Sequence, residues 1–180
     1  MRVVETAIPE VRIVEPRVFS DDRGSFFESW NARTFAELGI DATFVQDNQS
    51  RSHRNVLRGL HYQIRHAQGK LVRVVSGEVF DVVVDLRASS PTFGRHVGVT
   101  LSDANRRMLW VPPGFAHGFL ARSAHADFLY KTTDYWYPEH ERTLLWNDPA
   151  LGIAWPLDGT PTIAEKDAAG TPLAQADRYP

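Results

Sequence analysis

No cysteine occurs in the 180 residues. Disulfides, zinc–thiolate sites and cysteine nucleophiles are therefore excluded, and a reducing compartment is permitted. Charge of one sign is missing too, since 20 Lys and Arg stand against 22 Asp and Glu. No basic field calls for nucleic acid or an anionic membrane. No apolar run approaches membrane-span length, and the opening MRVVETAIPEVRI lacks the continuous apolar core of a signal peptide. A soluble cytoplasmic protein is expected, with neither nucleic acid nor membrane among its partners. Repeats, low-complexity tracts and linkers are also absent, so residues 1–180 read as a single domain able to bury a sizeable core.

What is present is mostly short apolar runs set between turn residues. Val11–Glu15 reads as a strand ending at Pro16, and Asp21-Asp22-Arg23-Gly24 as a turn. Ser25–Trp30 follows as a strand. A short helix is expected after Asn31 as N-cap, burying Phe35 and Leu38 and stopping at Gly39. From Thr43 onward the pattern is strand after strand. Val56–Gln63, Val97–Leu101, Met108–Val111, Gly118–Ala121 and Asp127–Thr133 are separated by Gly, Pro, Asn and Asp. Leu71–Val75 and Glu78–Leu86 are expected to form a hairpin through Ser76-Gly77. In the second arm Phe80, Val82, Val84 and Leu86 share one face, and Asp81, Val83 and Asp85 the other. The two aspartates read as solvated or bridged to a neighbouring strand, with a ligand role as the alternative. The tail after Tyr137-Pro138 is expected to be irregular and packed by tryptophans, with a short helix at most over Ile163–Ala169. Many strands and one early helix predict a mainly β sandwich or barrel.

The chemistry centres on Val56–Lys70, VLRGLHYQIRHAQGK. His61 lies inside an apolar strand, with Arg58 before it and Lys70 after it. A neutral imidazole can take a proton near neutral pH, and a nearby cation can hold the charge that results. A core histidine with a structural partner is the other reading of the same residues. Strict alternation puts Leu57, Gly59, His61 and Gln63 on one face and turns Arg58 away. A bulge at Gly59 would turn it back. Tyr130 reads as a core or interface tyrosine or, beside His61, as the acid that returns a proton. Tyr135-Trp136-Tyr137 can stack a planar base or simply pack. Glu165-Lys166-Asp167 reads locally as a solvated charge run. His66, His96, His125 and His140 receive no role.

Pro112-Pro113-Gly114-Phe115-Ala116-His117-Gly118-Phe119 resembles the second motif of the cupin superfamily, in which a turn delivers a histidine into a small barrel. In metal-binding cupins that histidine joins an earlier His-x-His pair and a glutamate. Here the earlier motif is His61-Tyr62-Gln63, without the second histidine or the glutamate, so a metal-free barrel is expected.

Further motifs follow in order. They are Asp22-Arg23-Gly24 with Phe26-Phe27-Glu28, Phe44-Val45-Gln46-Asp47-Asn48, Leu57-Arg58-Gly59-Leu60-His61, Gln68-Gly69-Lys70, Ser90-Pro91-Thr92-Phe93-Gly94 and Phe128-Leu129-Tyr130-Lys131. Together they resemble the dTDP-4-dehydrorhamnose 3,5-epimerases over nearly the whole chain. The resemblance implies a cupin-type jelly-roll barrel, a homodimer, no cofactor and no metal. It implies epimerisation at C3 and C5 of a dTDP-linked 4-keto-6-deoxyhexose, with a single-centre epimerase as the alternative. It further implies that His61 is the base, Tyr130 the proton donor, Asp167 the group that orients His61, and Lys70 the cation near the ketone oxygen. Substrate contacts are implied for Arg23, Glu28, Gln46, Asn48, Arg58, Lys70, His117, Glu141 and Lys166, and stacking on thymine for Trp136. Arg23 and Glu28 are expected to serve the neighbouring subunit.

Overall fold

The computed structural model describes residues 1–180. Fourteen strands and two short helices follow one another along the chain. Strands β1 (Arg2–Glu5), β2 (Arg12–Glu15), β3 (Val18–Asp21) and β4 (Gly24–Phe27) precede helix α1 (Ala32–Glu37). Then come β5 (Gln46–His53), β6 (Val56–Gln63), β7 (Lys70–Ser76), β8 (Glu78–Asp85), β9 (His96–Ser102), β10 (Met108–Val111), β11 (Phe115–Ala121) and β12 (His125–Thr132). The tail carries β13 (Glu141–Thr143), β14 (Thr162–Ile163) and helix α2 (Glu165–Ala168). No helix is long and apolar enough to cross a membrane.

Two antiparallel sheets face each other. The first runs β1-β2-β10-β7-β12-β5 and the second β13-β6-β11-β8-β9, with β14 joined to β6. The main core fills the space between them, with Val72 and Phe128 from the first sheet and Val79, Val83 and Phe119 from the second. The arrangement is the mainly β, cupin-like barrel expected from the sequence. Helix α1 also forms as expected. The Asn31 side chain accepts from the N–H groups of Arg33 and Thr34, Phe35 is fully buried, and Gly39 closes the turn at φ 76°. Leu38 is only partly buried.

The expected strand Ser25–Trp30 is instead Gly24–Phe27, and the expected hairpin is absent. Residues 71–75 and 78–86 do not form a hairpin, because β7 pairs with β10 and β12 whereas β8 pairs with β11 and β9. Ser76-Gly77 is a corner that carries the chain from one sheet to the other. Gly77 sits there at φ 81°, and a Cβ on it would lie 2.2 Å from the His125 carbonyl oxygen. A two-residue glycine link has the same composition at a corner as in a hairpin, and only the partners on either side tell them apart.

The alternation of β8 is confirmed, but both faces are covered. Val79 and Val83 face the inter-sheet core, while Val82 and Val84 pack under the tail with Leu144, Leu151 and Ala176. Asp81 and Asp85 are therefore fully buried rather than solvated. Asp85 accepts from Arg87, Ser90 and Thr92. Despite its burial, those bonds hold its carboxyl down at about 2. The tail is more ordered than its sequence suggests. Strands β13 and β14 both dock on the free edge of β6, β13 against His61–Gln63 and β14 against Val56 and Leu57.

Candidate active site

A cavity of about 580 Å³ opens between the two sheets. The second sheet supplies Arg58 and His61 from β6, His117 from β11 and Glu141 from β13. The first supplies Gln46 and Asn48 from β5, Lys70 from β7 and Tyr130 from β12. Lys166 of α2 and Trp136, on the loop after β12, complete the wall. Ten sequence-predicted residues thus line one cavity, and Asp167 stands directly behind His61.

Arg58 reaches the cavity because β6 bulges. His117 on β11 is opposite His61, and Phe119, two residues on, is opposite Arg58, three residues from His61. The extra residue lies at Gly59-Leu60 and reverses the facing of everything before it. Gly59 has φ 107°, and a Cβ on it would lie 2.7 Å from both the Gly118 Cα and the His117 carbonyl oxygen. A Cβ on Gly118 would in turn come within 2.4 Å of the Arg58 carbonyl oxygen. The two glycines meet back to back, and that close approach makes the bulge possible. The Arg58 Nε then donates to the Ser52 hydroxyl at 3.0 Å.

The freed N–H of Gly59 donates to Asp167 Oδ2 at 3.0 Å, and the other carboxylate oxygen lies 2.6 Å from His61 Nε2. Asp167 is 2% exposed. Burial opposes its charge, yet the His61 ring, the Gly59 N–H and the Lys166 ammonium outweigh it and hold the carboxyl below its ordinary value. With Nε2 occupied by the carboxylate, Nδ1 of His61 is the nitrogen left to take a proton.

A second pair lies across from the first. His117 Nε2 is 3.0 Å from each oxygen of Asp81. Burial pushes the Asp81 carboxyl above its ordinary value, with His117 and Lys70 pulling the other way. Lys70 is buried, and that burial brings its ammonium down to about 8 against the opposing pull of Glu141 and Asp81. Its Nζ lies 3.5 Å from the His61 carbonyl oxygen. Tyr130 is pushed up by burial and by the negative charge of Glu141, against Arg58 and Lys166, so its phenol keeps its proton at neutral pH. Glu141 and Lys166 form an ion pair at 3.0 Å.

Arg23 and Glu28 stand apart. Arg23 lies at the tip of the separate β3–β4 hairpin, paired with Asp21 at 2.6 Å and 90% exposed. Glu28 accepts from the Asn31 amide and the Thr34 hydroxyl. The hairpin belongs to neither main sheet, Glu28 lies just beyond its end, and within one chain neither residue lines the cavity. Conversely, Asp81 supports the site through His117 on the neighbouring strand, the kind of bridge that the sequence reading allows for it. Its signal was a carboxylate on the same face of β8 as Val83, across from the strand carrying His117. Ser50 and Gln68 also line the cavity.

A family model described as dTDP-4-dehydrorhamnose 3,5-epimerase matches residues 5–175. A protein of that name from Pseudomonas aeruginosa is 61% identical, with 100% of both chains covered. The crystal structure of a dTDP-6-deoxy-D-glucose-3,5-epimerase from Legionella pneumophila, in complex with dTDP-4-keto-L-rhamnose, gives a TM-score of 0.96 at 52% identity. That match covers 99% of this chain and 98% of the other. A 3'-monoepimerase from Streptomyces bikiniensis in complex with dTDP-quinovose gives 0.90 at 33% identity, over 98% of this chain and 89% of that one. The chain belongs to the dTDP-4-dehydrorhamnose 3,5-epimerase family.

Proposed function

We propose that this protein converts dTDP-4-keto-6-deoxy-D-glucose to dTDP-4-keto-L-rhamnose by inverting C3 and C5, a step in dTDP-L-rhamnose biosynthesis in the cytoplasm. One observation carries the reading. A histidine held by a buried carboxylate stands on one sheet, and a protonated tyrosine stands on the other, across the same cavity.

Each inversion begins with His61 Nδ1 removing the proton from the carbon beside the C4 ketone. The C–H electron pair moves into a C=C bond, and the carbonyl pair moves onto oxygen as an enolate. Asp167 stabilises the imidazolium that forms. Lys70, with His117 on the same cavity wall, meets the enolate oxygen, and one such donor is typically worth roughly 2.7–4 kcal/mol of barrier. Tyr130 then delivers a proton to the opposite face of the same carbon. Solvent then takes the proton from His61 and returns one to Tyr130, which resets both groups for the second inversion.

The remaining residues fit binding. Arg58 and Lys166 offer charge to the diphosphate. Gln46, Asn48 and Glu141 line the wall with polar groups, and the indole of Trp136 is 55% exposed and free to stack on thymine. A homodimer accounts for Arg23 and Glu28. Phe19 and Phe26 on the same hairpin are 50% and 72% exposed, an apolar surface suited to a second copy that would carry both polar residues to the partner's cavity.

A single-centre reaction is the second reading, supported by the fold shared with the Streptomyces bikiniensis monoepimerase. Proton NMR of the wild-type protein with dTDP-4-keto-6-deoxyglucose in deuterated water separates the two. Deuterium entering at C3 and C5 is expected. Deuterium at one carbon selects the second reading, and none at either removes both.

A further inference from the structure

Gln63 occupies the position of the missing second histidine, and the proposed mechanism gives it no task. It is 4% exposed, and its carboxamide is fully engaged. Nε2 donates to the carbonyls of His66 at 2.7 Å and Tyr135 at 3.2 Å. Oε1 accepts the Tyr137 N–H at 2.7 Å. Tyr135 and Tyr137 flank Trp136, so one side chain on β6 grips the backbone on both sides of the indole. The Trp136 N–H itself donates to Gln46 Oε1 at 3.2 Å.

The loop has other anchors. Gln68 Nε2 donates to the Asp134 carbonyl, and the Ile64 N–H donates to the His140 carbonyl. Neither bonds the residues that adjoin Trp136. An indole this exposed has little packing of its own to fix its plane, so its orientation is inherited from its backbone. Fixing that backbone before the ligand arrives removes an ordering cost from binding. None of the Gln63 bonds reaches His61, which is held instead by Asp167 from α2.

We infer that Gln63 is a positioning residue for nucleobase recognition, setting the affinity for the thymidine diphosphate moiety through Trp136 without entering the proton transfer. The inference rests on the reading of Trp136 as the base-stacking residue.

Gln63→Met keeps the chain length and removes all three bonds. In the full-length protein, calorimetric Kd for dTDP and KM for the dTDP-ketosugar are expected to rise about tenfold. Saturated kcat is expected to stay within about twofold, the pattern of lost uniform binding. In a Trp136→Ala background the same change adds no further loss. Gln63→Glu keeps an acceptor for the Tyr137 N–H and loses the two donated bonds. It is expected to show the same split between KM and kcat, and it carries the test if Gln63→Met does not fold. If Trp136→Ala weakens dTDP binding while the Gln63 variants do not, or if their losses add in full, Gln63 has no positioning role and the reading of Trp136 stands. A fall in kcat at unchanged KM likewise overturns the inference. If Trp136→Ala leaves dTDP affinity unchanged, the stacking reading fails and the inference fails with it.

Discussion

Two histidine–aspartate pairs serve the cavity, their histidines on paired strands, and they differ in what surrounds the carboxylate. In the first, Asp167 comes from the tail, divides its oxygens between His61 and the Gly59 N–H, and is held below its ordinary pKa. In the second, Asp81 comes from the barrel interior, points both oxygens at His117 Nε2, and is pushed up by burial. His61 keeps 25% of its side chain exposed and His117 only 7%. Asp81 also answers to Lys70, so two groups able to carry positive charge lean on one buried carboxylate. In the proposed mechanism the first pair receives a proton and the second meets a negative charge. The same two residue types thus suit two tasks, set by what else bonds the carboxylate and how open the ring is.

The sharpest way to break this comparison is to remove each ring. His61→Asn is expected to lower kcat by roughly 10³–10⁴-fold, at the upper end of the range for a lost general base. Its affinity for dTDP is expected to stay near the wild-type value, as read by calorimetry. His117→Asn is expected to cost about 10²–10³-fold in kcat, as for a lost oxyanion donor. Equal losses at both positions in single-turnover assays would erase the distinction.

A pH profile sharpens it further. Lys70 is charged below about 8 and neutral above it. If its charge meets the enolate, kcat should fall about tenfold per pH unit above that value. A flat profile to pH 10 would take Lys70 out of that role.

The smallest effect is on stability. The folded Asp167 carboxyl lies below its unfolded value of 3.8, so it contributes stability above that pH. That contribution is lost as pH falls through the folded pKa. Asp81 has the opposite sign, because its raised pKa makes ionisation cost stability as pH rises past 3.8. At pH 7 Asp167→Asn is therefore expected to lower Tm more than Asp81→Asn, and the gap should narrow toward pH 3. Equal shifts at both pH values would mean that the two carboxylates are equivalent.

Where residues act locally, the sequence is a good guide to this molecule. Val56–Gln63 and Met108–Val111 are strands with the bounds that their apolar patterns predict. Gly59 marked the bulge that turns Arg58 toward His61, because only glycine tolerates that backbone approach. Strand β5 was harder to see. Its sequence QDNQSRSH has no apolar alternation, since it is an edge strand whose Gln46 and Asn48 line the cavity. Polar cavity-lining side chains there replace the hydrophobic pattern that reveals strands elsewhere. The crossing at Gly77 is not legible in the sequence because a sheet-to-sheet corner and a hairpin use the same residues. The His61–Asp167 contact spans 106 positions, and no local signal links the two. Only the family resemblance suggested it. Asp81 had a visible pattern, but alternation alone does not say whether a second face is covered. Here the aspartate face lies toward the other sheet while the tail covers the Val82 and Val84 face, and the tail's own order comes from docking on β6 rather than from its propensities.

The division of labour between the two pairs is tested most directly by substrate proton exchange with deuterated water in His61→Ala and His117→Ala, each with and without added imidazole. The account predicts that His61→Ala exchanges no proton until imidazole is supplied, and then recovers exchange as the concentration of the free base rises. His117→Ala should exchange slowly and gain nothing from imidazole. Exchange at the wild-type rate in His61→Ala without imidazole, or rescue of His117→Ala instead, would contradict it.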